Sequence, residues 1–201
     1  MRFSALWMLF TFLAVGCAGP EVQHSDVLHD ICRNSRLFDL YGKKTLSFTF
    51  NARLPDKTVR RSWEWHIPDN RIFLNGEAHG PSAKFVNDVY WLLFPLKAYE
   101  DREKTQVTVT RHRTSPLSGE ALTEVEIRYV DGKGYTPNDT YRLYVDGRSM
   151  IREWSYLKSG REPPARTTRW EAYETIGGLT LSLVREGTGG FQVWFTDVRV
   201  E

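Results

Sequence analysis

The chain has 201 residues, in which 27 lysines and arginines nearly balance 25 aspartates and glutamates for a formal net charge of +2. A charge this close to zero gives no strong attraction to nucleic acid or to anionic lipid, so we expect no nucleic-acid partner. The length suits one domain with a substantial hydrophobic core, to which seven tryptophans contribute.

The first residues have the pattern of an export signal. Arg2 supplies a positive charge, residues 3–15 form an apolar run, and small residues follow the run. Because the run is too short to span a bilayer and no basic stop-transfer flank follows it, residues 1–16 are predicted to be a cleaved signal peptide. Cleavage removes Arg2 and lowers the net charge from +2 to +1.

The residues around Cys17 indicate how the exported chain matures. Ala14-Val15-Gly16-Cys17 resembles the lipobox of bacterial lipoproteins, in which the cysteine is acylated, for example with palmitate, and becomes the first residue. This resemblance implies that residues 17–24 form a lipidated tether that anchors the protein to a membrane. Lipoproteins of this kind kept in the inner membrane usually carry Asp after the cysteine, so Ala18 implies the outer membrane, with the domain facing the periplasm.

Two alternatives concern the same cysteine. Ordinary cleavage after Ala18 would use Gly16 and Ala18 as the small residues of the site. Cys17 and Cys32 are the two cysteines of the chain, so a retained Cys17 thiol could pair with Cys32, whereas an acylated Cys17 leaves Cys32 free. A free Cys32 on an apolar helix face is expected to be a small buried hydrophobe rather than a nucleophile.

Downstream of the tether, the spacing of apolar residues changes from helical to alternating. Residues 25–42 show helical spacing, with Ser25 as the N-cap and Gly42 as the stop. From Thr45 about ten segments alternate apolar and polar residues between turns rich in Gly, Pro, Asn and Asp. The pattern predicts a mainly β (α+β) fold in one domain, residues 25–201, whose antiparallel meander curls into an incomplete β-barrel.

One segment breaks the two-residue alternation. Residues 84–94 are apolar nearly all round a helix, and Pro95 is predicted to end that helix. A helix of this kind is unfavourable on a solvent-exposed surface. In addition, bulky residues occupy both faces of several strands. We therefore expect this helix and the N-terminal helix to cover the concave face of the sheet. Gly80-Pro81 and Pro95 are the expected boundaries of a movable lid.

The order of these elements, with the local sequences FVNDVYWLLFPLK and GYTPNDTYRLYVD, resembles the LolA/LolB-like superfamily of bacterial lipoprotein carriers over roughly residues 45–200. The resemblance implies a half-barrel whose helices enclose an apolar cavity, and a monomer that binds or carries an acyl chain or a lipidated protein in the cell envelope. Alternatively, the same aromatic residues could fill the cavity. The protein would then be a structural lipoprotein that docks to another protein of the envelope. The residues expected at the cavity or lid are Trp63, Trp65, Val89, Tyr90, Trp91, Leu92, Leu93 and Phe94.

Catalytic and metal-binding patterns are weak. The sequence has no Gly-x-Ser-x-Gly elbow, no phosphate-binding loop and no cysteine with a plausible catalytic partner. Glu64 and His66 share a strand face and could join His79 or His112 at a metal, but zinc ligands are normally grouped more tightly. We therefore predict a protein that is not an enzyme and needs no cofactor or metal, with a periplasmic hydrolase as the less favoured alternative.

Overall fold

The computed structural model describes residues 24–130, 132 and 136–201. The signal peptide, Cys17 and the tether up to residue 23 lie outside these residues, so the expectations about them remain predictions. Within the described ranges, no helix is long and apolar enough to cross a membrane.

The first helical segment is shorter than the sequence predicts. Helix α1 spans His24–Asn34, and a separate 3-10 helix spans Leu37–Gly42. The break lies at Arg36, whose φ of 54° is left-handed and cannot continue an α-helix. The prediction of one helix through residue 42 is therefore wrong, although Gly42 does end the helical region.

The alternating segments form strands, and the described part of the chain contains eleven of them. The prediction of about ten strands counted RIFLNGE as one. Asn75 and Gly76, with φ values of 53° and 87°, fold that segment into a tight hairpin of two short strands. The strands are β1 Thr45–Arg53, β2 Thr58–His66, β3 Arg71–Leu74, β4 Glu77–Ala78, β5 Thr105–Thr114, β6 Ala121–Tyr129, β7 Thr140–Val145, β8 Ile151–Leu157, β9 Arg166–Ile176, β10 Leu179–Gly187 and β11 Gln192–Val200.

All eleven strands belong to one antiparallel sheet in the order β4-β3-β2-β1-β11-β10-β9-β8-β7-β6-β5. Strand β1 pairs with both β2 and β11, which places the start of the meander beside its end. β4 and β5 are the two edges, and the sheet does not close between them in the described residues. The predicted incomplete barrel is confirmed.

Helix α2, Ala83–Glu100, connects the two edge strands and packs on the concave face of the sheet. It begins at Ser82, whose hydroxyl accepts a hydrogen bond from the Phe85 N–H. The prediction that Pro95 ends the helix is wrong: Pro95 lies inside it, and the irregular φ and ψ of Leu93, −117° and 24°, mark the kink that the missing proline N–H requires. Pro95 is therefore not the boundary of a lid.

The buried apolar residues form two clusters, and α2 contributes to both. The first cluster places Leu92 and Leu93 against β1, β2, β10 and β11. The second places Phe94 of α2 and Leu28 of α1 against β6 to β9. Each fully buried Leu or Phe side chain stabilises the fold by about 1.5–3 kcal/mol. The predicted covering of the concave face by both helices is confirmed.

Candidate functional site

A cavity of about 240 Å³ lies between α2 and strands β7 to β9. Its walls are almost entirely aromatic, because rings of α2 meet rings of β7, β8 and β9 on the face of the sheet that α2 covers. The cavity is lined by Asn87, Tyr90, Trp91, Phe94, Thr136, Tyr141, Trp154, Tyr156 and Trp170.

Ring contacts hold the walls of the cavity in place. Trp91 and Phe94 of α2 lie against Trp154 and Tyr141, with ring centroids 4.8 Å and 4.6 Å apart. Trp154 is also stacked nearly parallel to Tyr156, with an angle of 12° between the rings. Pairs of this kind add to the stabilisation that burial provides. The cavity is therefore an ordered apolar surface rather than a loose gap.

The phenols at the cavity stay protonated at neutral pH. The Tyr141 hydroxyl donates to Thr136 Oγ1 at 3.1 Å, and the Tyr156 hydroxyl donates to Asp139 at 2.9 Å. Burial raises the pKa of Tyr141 and, with the bonded Asp139 carboxylate, raises the pKa of Tyr156 to about 12. These groups offer neutral hydrogen-bonding atoms and no charge.

A second cavity, of about 470 Å³, lies on the other side of α2 and has a charged rim. Lys97 and Glu100 form an ion pair of 2.8 Å there, and Lys104 pairs with Asp101 at 2.5 Å. The Tyr90 hydroxyl, which also donates to Asp101, lies on a residue that lines both cavities. Because charged side chains form its rim, this cavity is a less suitable site for an apolar ligand than the aromatic one, whose lining contains no charged residue.

The structure divides the eight residues predicted for the cavity or lid into three groups. Tyr90, Trp91 and Phe94 line the aromatic cavity. Trp65 and Val89, again with Tyr90, line the second. The others are buried in the first core cluster and line neither cavity: Trp63, Leu92 and Leu93.

Trp63 instead helps to hold the start of α2. Its indole Nε1 donates to the Asp88 carboxylate at 2.7 Å, and Asp88 is completely buried. Arg61 of β2 donates to the same carboxylate through Nε and Nη2, each at 2.6 Å, and Asn87 adds a bond of 3.0 Å. The carboxylate is thus well paired, and it attaches the first turns of α2 to β2.

Sequence analysis did not predict the strand residues of the cavity wall, such as Trp154 and Trp170, and it also missed Arg185, which lies behind Trp170. It is completely buried on β10, opposite Trp170 of β9, and its guanidinium carbon lies 3.6 Å from the centre of the Trp170 rings. Its Nη2 donates at 2.9 Å to the Trp91 carbonyl, which Pro95 cannot use because proline has no N–H. The apolar alternation Leu179, Leu181, Leu183, interrupted at 185 by a charge, was the available signal.

The charge of Arg185 has neutral hydrogen-bond partners but no counter-ion. Its Nη1 donates to the carbonyl and hydroxyl oxygens of Ser182 and to the Val184 carbonyl, and no carboxylate in the described residues forms an ion pair with it. Burial lowers the pKa of Arg185 to about 9, which still leaves the guanidinium mostly protonated at neutral pH. A buried positive charge without a counter-ion is costly, so its presence beside the cavity needs an explanation.

Four buried polar side-chain atoms have no hydrogen-bond partner among the described residues: Trp154 Nε1, Thr168 Oγ1, Trp170 Nε1 and Arg185 Nε. Trp154 pairs across the strands with Thr168, and Trp170 pairs with Arg185, so all four side chains lie on one face of β8 to β10. An unpaired buried donor costs about 1–3 kcal/mol. We call these four residues the donor patch.

The alternative sites are not assembled in the described residues. His66 Nε2 and Glu64 lie 2.6 Å apart on β2, but no group of three His, Cys, Asp or Glu side chains that could hold a metal occurs in residues 24–130, 132 and 136–201. Cys32 is a buried free thiol. Burial, aided by the charge of Glu100, raises its pKa to about 12, which makes it a poor nucleophile.

Solved structures share this fold, whereas no protein-family model and no curated protein matches the chain. A LolA superfamily protein from Nitrosomonas europaea is 11% identical with a TM-score of 0.51, over 89% of this chain and 93% of that one. A protein domain assigned to outer membrane lipoprotein sorting, from Vibrio parahaemolyticus, is 10% identical with a TM-score of 0.50, over 89% and 92%. A DUF1329 family protein from Desulfovibrio piger is 10% identical with a TM-score of 0.48, over 89% and 93%.

The sheet order, the helices on its concave face and the first two of these structures define the fold as a LolA-like open β-barrel. The resemblance seen in the sequence is confirmed at this level. Sequence identity near 10% shows a shared fold and does not transfer an activity.

Proposed function

We propose that this protein binds an acyl chain, or the lipidated end of another protein, in the aromatic cavity beneath α2. The observation that carries the proposal is the cavity itself, because seven of the nine residues in its walls are aromatic, Trp91 and Trp154 among them. A hydrocarbon chain gains free energy from leaving water for such a surface.

Two further features support this function. The structures with the same fold include a LolA superfamily protein and a lipoprotein-sorting domain, which favours lipid or lipoprotein binding in the periplasm or elsewhere in the cell envelope. In this proposal Cys17 carries the lipid anchor that holds the monomeric domain at the outer membrane. Stable anchoring takes more than one lipid chain. The lipobox resemblance implies that Cys17 meets this requirement.

The size of the cavity indicates how a ligand enters. At about 240 Å³ it is slightly smaller than a usual ligand pocket of about 300–1,000 Å³. It can hold part of an acyl chain as it stands, and a longer chain requires α2 to move away from β7 to β9. The part of α2 that moves contains Trp91 and Phe94, whose ring contacts with Trp154 and Tyr141 the chain would replace.

Binding is tested by titrating the purified protein with a fluorescent fatty acid, and by native mass spectrometry of gently purified protein. Asn87→Trp places a large ring at the cavity and is expected to weaken binding at least tenfold. Lys84→Trp is the matched control, because Lys84 is also exposed on α2 but lines neither cavity. If no lipid co-purifies and the probe does not bind at micromolar concentrations, a docking protein with a filled core becomes the better interpretation.

A further inference from the structure

The four unpaired atoms of the donor patch lie together, and three of them can only donate; the fourth, Thr168 Oγ1, can donate or accept. Trp154 Nε1, Trp170 Nε1 and Arg185 Nε are all donors, and they lie on three adjacent strands. Trp154 and Trp170 are themselves part of the cavity wall. Three buried donors without acceptors are what a protein shows where an acceptor from a ligand completes the hydrogen bonding.

The electrostatics at this wall also favour an acceptor with negative charge. Arg185 is fully buried directly behind the Trp170 rings, and no described carboxylate pairs with it. The phenols of Tyr141 and Tyr156 at the same cavity are neutral. The fixed charge behind the Trp170 wall is therefore positive, whereas Asp139, which accepts from the Tyr156 hydroxyl, supplies a negative charge at another part of the cavity.

We propose that the donor patch receives an anionic oxygen of the ligand, so that the cavity selects acidic amphiphiles over neutral ones of the same chain length. This inference rests on the proposed function, since it assigns the head group of a ligand whose hydrocarbon tail lies in the aromatic cavity. A small rotation of the Trp154 and Trp170 rings brings their N–H groups to the lumen, where they donate to a carboxylate or phosphate oxygen. Arg185 balances the charge from behind.

The test compares three ligands with the same twelve-carbon tail, using isothermal titration calorimetry of the folded protein at pH 7.5. Dodecanoic acid and dodecyl phosphate carry an anionic head, whereas dodecanol is neutral. We expect the better of the two anions to bind at least tenfold more tightly than dodecanol, and the comparison of the two assigns the head group to a carboxylate or a phosphate.

Variants then locate the selectivity. Arg185→Met is expected to reduce the ratio of anion affinity to dodecanol affinity to about threefold or less. Arg169→Met is the matched control, because Arg169 neighbours Trp170 on β9 but is exposed. Trp154→Phe and Trp170→Phe keep most of the ring surface and remove one donor each, so each is expected to lower anion affinity several-fold more than it lowers dodecanol affinity.

Each outcome has a defined meaning. If the unaltered protein binds dodecanol as tightly as both anions, the donor patch does not select a head group, although acyl-chain binding stands. If none of the three ligands binds, the proposed function fails and this inference fails with it. If Arg185→Met does not fold, the two Trp→Phe variants decide: unchanged anion affinity in both overturns the proposal.

Discussion

Arg61 and Asp88 form a two-point contact in which both bonds are 2.6 Å long, between the second strand and the second helix. Asp88 is completely buried, whereas the Arg61 side chain is 22% exposed. The Trp63 indole donates to the same carboxylate. The contact fixes the first turns of α2 on β2, and the α2 residues that line the aromatic cavity, from Asn87 to Phe94, begin at the same place in the helix.

The first prediction concerns this contact. Asp88→Asn keeps the size of the side chain but leaves Arg61 without its counter-ion, so we expect the free energy of unfolding to fall by about 3 kcal/mol. The measurement is a urea unfolding curve at neutral pH. Glu64→Gln is the control, because Glu64 is an exposed acid on β2, the strand that carries Arg61. Loss of its charge should lower the free energy of unfolding by less than about 1 kcal/mol. Equal unfolding midpoints for the two variants would contradict the prediction.

A second prediction uses the pH dependence of stability. Burial alone would raise the pKa of Asp146, but the N–H groups of Met150 and Arg148 and the Arg152 guanidinium lower it overall. A carboxyl group with a lowered native pKa stabilises the fold above its unfolded pKa, about 3.9, and this contribution disappears as the pH falls through the native pKa.

We therefore expect Asp146→Asn to reduce stability by about 1.5 kcal/mol at pH 7 and by progressively less below pH 4. Thermal unfolding of both proteins between pH 7 and pH 3 provides the comparison. Asp56→Asn, at an exposed turn position, serves as the control and should show no such convergence. A constant difference across this range would show that the charge of Asp146 has no part in stability.

The third prediction concerns Cys32. Its native thiol has a pKa raised to about 12 by burial, so almost no thiolate is present at pH 8. Iodoacetamide should leave the Cys32 peptide unmodified in the folded protein and alkylate it in urea. Peptide mass spectrometry measures this at Cys32 alone, independently of Cys17. Rapid alkylation in the native state would show that the α1 region opens locally.

The fourth prediction is that Cys17 is the acylated first residue of the mature chain. The apolar run, the small residues before Cys17 and the lipobox resemblance support it. Mass spectrometry of the mature N-terminus after expression in a double-membraned bacterium is the measurement. Cys17→Ser should abolish the acyl mass and release the protein from membranes, and an unmodified chain starting at Gly19 would contradict the prediction.

Local sequence was sufficient for most secondary structure and for the class of fold. Alternation with period two makes strands wherever one face can be buried, and Gly, Pro, Asn and Asp mark the turns. The apolar character of residues 84–94 required burial, so a helix over the sheet followed directly. The two local errors, a break at Arg36 and a helix that continues past Pro95, have a shared cause. In each, tertiary contacts outweigh the local signal, because Leu37 is buried after the break and Arg185 satisfies the carbonyl that Pro95 leaves free.

The composition of the cavity was decided by tertiary structure alone. The sequence does not distinguish Trp63, Trp91 and Trp170 from one another. In the structure, Trp63 is hydrogen-bonded to Asp88 in the core, whereas the other two line the cavity. The register of β9 against β10 places Trp170 opposite Arg185, and no periodicity within either strand encodes that register. Sequence spacing indicates which face of a strand a residue occupies. The neighbour of that residue on the same face depends on how the strands pair, and strand pairing is determined by burial across the whole sheet.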